Sequence, residues 1–186
     1  MSELPDGVVG YMDAANVALS LSRVDASDDE LVYVNDRFTA LTGYDLHDAV
    51  GHNCRFLQGA LTSQPGLQTV RAFMADPTKR RVRAQLINFR ADERPFVNQL
   101  TLHRITGPGG RTRLILASQF DITAAAPAEL LDYNEALAQT MTARPVNRDE
   151  REILIGSVQS MGEAAAAIAQ ARYLIDEADR TGVLQF

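Results

Sequence analysis

The feature that most constrains this chain is a change in its hydrophobic pattern near Arg81. Beyond that residue, apolar and polar side chains alternate along residues 81–89, 96–105 and 113–122, and short turn-forming segments separate these stretches. Alternation with a period of two is typical of β-strands, and tight connections join antiparallel neighbours. Two shorter strands are predicted upstream, so the sequence indicates one antiparallel sheet of five strands.

The shorter strands and several helices precede this region. The two strands are predicted over 17–22 and 31–34, and Asn35 and Gly43 are placed to cap a helix between them. Another short helix is predicted around residues 8–16. Residues 44–75 indicate a string of short helices, the last running from Pro65 to Met74. This order predicts an α+β fold with short helices on one face of the sheet.

A helical extension is predicted beyond Pro127. Its two helices cover about residues 128–143 and 148–180. In the second helix, apolar residues recur in alternating steps of four and three, as in a coiled-coil seam, with Arg172 as the one interruption: Leu154, Val158, Met161, Ala165, Ile168 and Ile175. We expect this seam to make a homodimer, and the alternative is that it packs within one copy.

These patterns divide the chain into three parts. Residues 1–16 form an N-terminal cap, residues 17–126 form the core, and residues 127–186 form the C-terminal helical extension. The extension carries no kinase, cyclase or phosphate-loop signature, so we expect a protein that is not an enzyme.

Composition excludes several classes of protein. Hydrophobic residues make up 46% and charged residues 23% of the chain, which is typical of a folded globular protein. The single cysteine, Cys54, excludes an intrachain disulfide and a cysteine-rich zinc site, and we expect no bound metal. The sequence shows neither an apolar run of about 20 residues nor a signal-peptide pattern, so we expect a cytoplasmic protein without membrane contact.

Charge argues against nucleic-acid binding. The net charge is −6, and most of it lies in the last third of the chain. Binding to phosphate backbones requires clustered positive charge. A light-regulated DNA-binding protein is therefore kept only as a weaker alternative.

The residues that carry chemistry cluster around Cys54. Asn53 and Arg55 flank this cysteine, and Gln58 lies about one turn beyond it. Three further amides are predicted on strands: Asn88, Asn98 and Gln119. Buried amides must be hydrogen-bonded, so several that converge would suit a planar heterocycle with mixed donors and acceptors. Taken singly, a cysteine is more often a small buried hydrophobe and a strand asparagine a satisfied edge residue.

The arrangement as a whole resembles a known family. The segment Gly51-His-Asn-Cys-Arg-Phe-Leu-Gln58 matches, at every defined position, the signature of light-oxygen-voltage (LOV) domains, a flavin-binding branch of the PAS superfamily. Other segments resemble the same family: Val34-Asn35, Leu41-Thr-Gly-Tyr44, Val70-Arg71, Leu86-Ile-Asn88, Phe96-Val-Asn98 and Gln119-Phe-Asp-Ile-Thr123. The resemblance covers about residues 17–123 and implies the PAS/LOV fold.

The resemblance also implies the role of each site residue. Cys54 would form a reversible bond to flavin carbon C4a under blue light, and Gln119 would lie beside flavin N5 and rearrange its hydrogen bonds. Arg55 and Arg71 would hold the phosphate. The remaining cofactor-binding residues would be Asn53, Leu57, Gln58, Val70, Asn88, Asn98 and Leu100.

The implied cofactor is FMN, and FAD or riboflavin remain possible occupants. The signal would pass through Gln119 to the C-terminal helices and the dimer, whose association would respond to light, and then to an unknown protein partner. A flavin redox sensor that uses the same pocket is the main alternative. A PAS module for another small molecule is a weaker one.

Overall fold

The computed structural model describes residues 4–24, 28–126 and 148–181. Five helices are described in these ranges: α1 (Asp6–Ala14), α2 (Asp36–Thr42), α3 (Leu46–Ala49), α4 (Pro65–Ala75) and α5 (Arg148–Arg180). A short 3-10 helix covers Cys54–Gln58. The strands are β1 (Ala18–Arg23), β2 (Leu31–Val34), β3 (Arg81–Phe89), β4 (Pro95–Thr106) and β5 (Thr112–Asp121).

The five strands form one sheet in the order β2-β1-β5-β4-β3, and every neighbouring pair is antiparallel. The prediction of an α+β fold with a five-stranded antiparallel sheet is confirmed, and the strand bounds agree to within a residue or two. The first predicted helix of the extension, 128–143, lies outside the described residues.

The two faces of the sheet carry different side chains, because successive residues of a strand point in opposite directions. Helices α2 and α4 and the 3-10 helix lie on the face that we call inner. Helices α1 and α5 cover the outer face, where they share one apolar cluster with β1, β4 and β5: Val8, Met12, Leu19, Leu21, Ile105, Leu114, Leu116, Ala165, Ala166, Ala169 and Tyr173. None of the described helices is both long and apolar enough to cross a lipid bilayer.

Asn35 ties the N-terminal helix to the core. As predicted, it caps α2: its Oδ1 accepts a hydrogen bond from the Phe38 backbone N–H at 3.1 Å, and also one from the Leu19 N–H at 2.9 Å. Its Nδ2 donates to the carbonyl oxygens of Met12 and Val17, at 2.8 and 2.9 Å. This buried side chain therefore meets its own hydrogen-bonding needs while it joins α1, β1 and α2.

Helix α5 approaches the sheet closely at Gly162. A Cβ atom there would lie 2.5 Å from Ser118 Oγ on β5, so a side chain at this position would push the helix away. Next to this contact, the hydroxyls of Ser118 and Thr101 are buried and have no hydrogen-bond partner among the described residues. An unpaired buried hydroxyl lowers stability by about 1–3 kcal/mol. Contact between α5 and the sheet is therefore weaker here than it would be if apolar groups replaced the hydroxyls.

Polar side chains hold α5 along its length. Glu163 is paired with Arg81 and Arg83 on β3, at 2.6 Å for Arg81. The Gln170 side-chain amide bonds the Thr106 backbone in both directions, at 2.8 Å each. Near the C-terminal end of α5, the Asp176 side chain accepts a hydrogen bond from the Gly7 N–H of α1 at 2.9 Å.

The predicted seam of α5 does not form a single surface. Val158 and Ala165 are buried against the rest of the protein. Four residues remain between 36% and 47% exposed: Leu154, Met161, Ile168 and Ile175. The prediction of one continuous seam was wrong because the small residues of α5 allow it to face the sheet, which turns most of the larger seam residues outward.

Thr101→Val should stabilise the protein. The substitution keeps the branched shape and removes an unpartnered buried hydroxyl, so we expect the free energy of unfolding to rise by about 1 kcal/mol. Urea unfolding measures this change, and Thr69→Val on the exposed side of α4 is the control, for which we expect little change. An unchanged or lower stability of Thr101→Val would show that the hydroxyl is satisfied in solution.

Candidate functional site

A cavity of about 500 Å³ lies between the inner face of the sheet, the 3-10 helix and α4. Its volume is in the range typical of small-molecule and cofactor sites. Every predicted site residue except Leu57 lines it: Asn53, Cys54, Arg55, Gln58, Val70, Arg71, Asn88, Asn98, Leu100 and Gln119. A second cavity, of about 580 Å³, lies along β3, the edge strand of the sheet, and none of the predicted site residues lines it.

The 3-10 helix presents Cys54 to the cavity. Asn53 begins it, and its side-chain Oδ1 accepts a hydrogen bond from the Arg55 N–H at 3.0 Å. Leu57 is not among the residues that line the cavity, and its predicted contact with a cofactor stays a prediction. It is 1% exposed and packs in a cluster with Leu31, Phe38 and Ala49, which anchors the helix to the core.

Helix α4 forms another wall of the cavity. Leu67, Val70, Arg71 and Met74 line it at helical spacing, so they share one side of the helix. At Gly66 a Cβ would lie 2.2 Å from the Gln85 carbonyl oxygen of β3. The glycine therefore lets the beginning of α4 pack directly on the strand, and this contact sets the position of the wall.

Three strand amides form a hydrogen-bonded chain across the inner face. Asn98 Nδ2 donates to Asn88 Oδ1 at 2.8 Å and to Gln119 Oε1 at 3.0 Å, and Gln119 Nε2 donates to Ser20 Oγ at 3.3 Å. These residues are nearly inaccessible to solvent. The predicted convergence of Asn88, Asn98 and Gln119 is thus present in the structure.

One atom of this chain has no partner. Asn98 Oδ1 is buried and accepts no hydrogen bond from any described residue. A buried unpaired carbonyl oxygen is costly, so it is suited to accept a hydrogen bond from a bound ligand. The pyrimidine part of a flavin ring carries both an N–H donor and carbonyl acceptors, so this set of amides fits a flavin.

Burial alters the acidity of Cys54. The residue is half-buried, and desolvation raises the pKa of its thiol to about 12. The thiol is therefore protonated at neutral pH, because the thiolate is disfavoured in a poorly solvated site. A protonated thiol carries its own proton into any reaction with a neighbouring group.

The two arginines have different surroundings. Arg55 forms an ion pair with Asp28, and both side chains are more than half exposed. Arg71 donates to the Thr62 carbonyl oxygen at 3.2 Å and has no ion-pair partner among the described residues. Both line the cavity, as predicted, but only Arg55 is paired with a carboxylate there.

The sequence analysis missed several lining residues. Ala117 and Ile115 follow the same alternation as Gln119, so the period of β5 could have identified them. Ser20 and Ser22 of β1 also line the cavity, at the positions where the family resemblance places flavin-lining residues of the first strand. Asp29 also lines the cavity, and no sequence pattern indicated it.

Comparison with known proteins supports the same assignment. The PAS domain family matches residues 19–124. Blue-light-activated histidine kinase 1 of Erythrobacter litoralis is 38% identical over 107 residues, which are 58% of this chain and 29% of that protein. A blue-light-activated histidine kinase of Rhizobium johnstonii is 34% identical over 105 residues, 56% of this chain and 30% of that protein. The chain thus spans less than a third of the length of these relatives.

Solved structures extend the likeness. A variant of RsLOV is 30% identical, and the match covers 89% of this chain and 95% of that chain with a TM-score of 0.56. An RNA-binding light-oxygen-voltage receptor is 31% identical, with a TM-score of 0.60, over 72% of this chain and 37% of that chain.

The matched region and the fold show that the chain belongs to the PAS domain family. Within that family it is a light-oxygen-voltage domain with a C-terminal helix, since the RsLOV variant matches it at 30% identity over 89% of this chain.

Proposed function

We propose that this protein is a blue-light photoreceptor that binds a flavin, with FMN as the first choice and FAD or riboflavin as alternatives. One observation carries the proposal: Cys54 lines the same cavity as the buried amide chain of Asn88, Asn98 and Gln119. A redox sensor would need the amides but would not need a thiol. The blue-light relatives support the same function.

The residues of the cavity fit the proposed chemistry. A bound flavin would absorb blue light and, when excited, would accept the Cys54 sulfur at C4a and the thiol proton at N5. The raised pKa of Cys54 keeps that proton on sulfur in the dark. In the proposed arrangement Asn53, Gln58, Asn88 and Asn98 hydrogen-bond the ring edge and ribityl chain, and the apolar walls from Val70 and Leu100 exclude water.

Cys54→Ala tests the photochemistry. We expect the purified wild-type protein to show a structured flavin absorption band that bleaches under blue light and recovers in the dark, because the bond to sulfur interrupts the conjugated ring. Cys54→Ala should keep the band and lose the bleaching, and Cys54→Ser provides a second variant of similar size. A wild-type band that does not bleach would contradict the proposal and favour the redox sensor.

The route from the cavity to α5 is short. Gln119 points into the cavity, and the next residue back along β5, Ser118, lies against Gly162 of α5 on the outer face. Protonation of flavin N5 would turn an acceptor into a donor, so the Gln119 amide would have to rearrange. We infer that this change in hydrogen bonding shifts β5, and that the shift is transmitted to α5 through the contact of Ser118 with Gly162.

Gln119→Leu should interrupt this route. The variant keeps a side chain of similar size but has no amide to exchange hydrogen bonds, so adduct formation should persist while the structural response is lost. The measurement is the light-minus-dark difference in hydrogen exchange of α5, with Gln85→Leu, on the outer side of β3, as the control. An undiminished response in Gln119→Leu would exclude Gln119 as the relay.

The exposed side of α5 supports the proposed homodimer. We use the name exposed stripe for the uncharged exposed residues along one side of α5, which Arg172 borders: Ile153, Leu154, Ser157, Ser160, Met161, Ala164, Ala167, Ile168, Ala171, Leu174 and Ile175. Its largest members recur every seven residues, and its centre is made of serine and alanine, which permits close helix contact. A second copy of the same helix is the partner that such a self-complementary stripe fits best.

Met161→Arg should weaken the dimer. The charge would be buried in the middle of the contact, so we expect the dimer dissociation constant to rise at least about tenfold. Light scattering over a range of concentrations, in the dark and under blue light, measures it. Glu152→Arg on another side of α5 is the control, and circular dichroism checks that helix content is kept. A wild-type protein that is monomeric at every concentration in both conditions would contradict the proposal.

Other parts of the proposal rest on sequence alone. They are the division at residues 16 and 126, a cytoplasmic location, an output without catalysis, and a downstream protein partner. Nucleic-acid binding, which the RNA-binding relative raises, is disfavoured by the net charge of −6.

A further inference from the structure

Three charged residues line the cavity, and a fourth is paired with one of them. Arg55 and Arg71 line it, and so does Asp29. Asp28 is held beside them, because its carboxylate is paired with Arg55 and its backbone oxygen accepts a hydrogen bond from the Asn53 side chain at 2.5 Å. Arg55 and Arg104 both act on the Asp29 carboxylate, so cations and carboxylates lie close together in this part of the protein.

The carboxylates change how the cavity treats an anion. A phosphate monoester carries about 1.5 to 2 negative charges at pH 7 and is attracted by arginine. It would meet Arg55 only in competition with Asp28, and it would be repelled by Asp29. Riboflavin, which is the same flavin without the phosphate, is neutral, so neither the competition nor the repulsion would weaken its binding.

We propose that Asp28 and Asp29 reduce the preference of this site for FMN over riboflavin, and that Arg71 supplies most of the preference that remains. The inference rests on the proposed flavin binding and makes it more specific. Its basis is the pairing of Arg55 with Asp28, whereas Arg71, which also lines the cavity, bonds the Thr62 carbonyl oxygen and no carboxylate in the described structure.

The state of Asp29 is consistent with this role. Burial raises the pKa of its carboxyl group, and the nearby Asp28 charge raises it further, while Arg104 and Arg55 act in the opposite direction. Asp29 thus lies where solvent screens charges incompletely. A phosphate placed in the same cavity would experience the Asp29 charge more strongly than it would at an open surface.

The geometry allows a clean substitution at both positions. Asp29 has a φ of 49°, in the left-handed region that asparagine tolerates as well as aspartate. At position 28, an asparagine side-chain oxygen can still accept the hydrogen bond from Arg55. Asp28→Asn and Asp29→Asn therefore remove charge while they keep shape.

The test compares the affinities of FMN and riboflavin for flavin-free protein, measured by quenching of flavin fluorescence in the dark. We expect the double variant Asp28→Asn/Asp29→Asn to raise the ratio of FMN to riboflavin affinity about five- to tenfold, with little change in riboflavin affinity. The effect should shrink at high salt. Asp179→Asn, on α5 at the other face of the sheet, is the charge-matched control.

The arginines supply the second arm of the test. In the wild-type background, Arg71→Ala should lower the ratio about tenfold and Arg55→Ala less than about threefold. In the Asp28→Asn background, the cost of Arg55→Ala should rise toward that of Arg71→Ala, because a neutral hydrogen-bond acceptor competes with the phosphate for Arg55 less strongly than a carboxylate does.

The outcomes separate this inference from the proposed function. Equal costs of the two arginine substitutions in the wild type, or an unchanged ratio in the double aspartate variant, would overturn the inference while flavin binding stands. Failure of the wild-type protein to bind either flavin would overturn the proposed function itself.

Discussion

The alternation of side chains along β5 is the constraint on which both halves of the structure depend. Ile115, Ala117 and Gln119 face the cavity, while Leu114, Leu116 and Ser118 face the helices of the outer side. A strand with period two cannot shift by one residue without exchanging these sets. The cavity and the helix contact are therefore two sides of one register, and a displacement of β5 affects both.

The buried amides give the inner face its chemical character at a cost in stability. Asn88, Asn98 and Gln119 would each be expensive to bury singly, and their mutual hydrogen bonds offset most of that cost. Asn98 Oδ1, which has no partner among the described residues, still lowers the free energy of unfolding by about 1–3 kcal/mol. A ligand that donates to this oxygen recovers that amount, so binding and folding are coupled through one atom.

The sequence was informative where a local rule decides the structure. The strands follow from alternation, the start of α2 follows from the Asn35 cap, and the neighbours of Cys54 follow from the LOV signature. The packing of Leu57 against the core did not follow from the signature, because a signature shows that a residue is required without showing on which side of the short helix it lies. The pairing of Arg55 with Asp28 joins residues far apart in the chain, and neither residue carries a pattern that identifies the other.

The seam of α5 illustrates a different limit. Its apolar spacing is real, but spacing alone does not indicate which neighbour a helix face contacts. The small residues around Gly162 decided this, because they allow a closer approach to the sheet than the larger residues would. The larger residues then remain on the exposed stripe.

The position of Gly162 has a mechanical consequence. Helix α5 has 33 residues, which corresponds to a length of about 50 Å, and Gly162 lies close to its midpoint. A rigid helix that tilts about this point has two arms of similar length. A tilt of about 10° would move each end by roughly 4 Å, in opposite directions. The contacts of Gln170 and Asp176 lie on the C-terminal arm, so such a tilt would strain them, and they limit how far the ends can move.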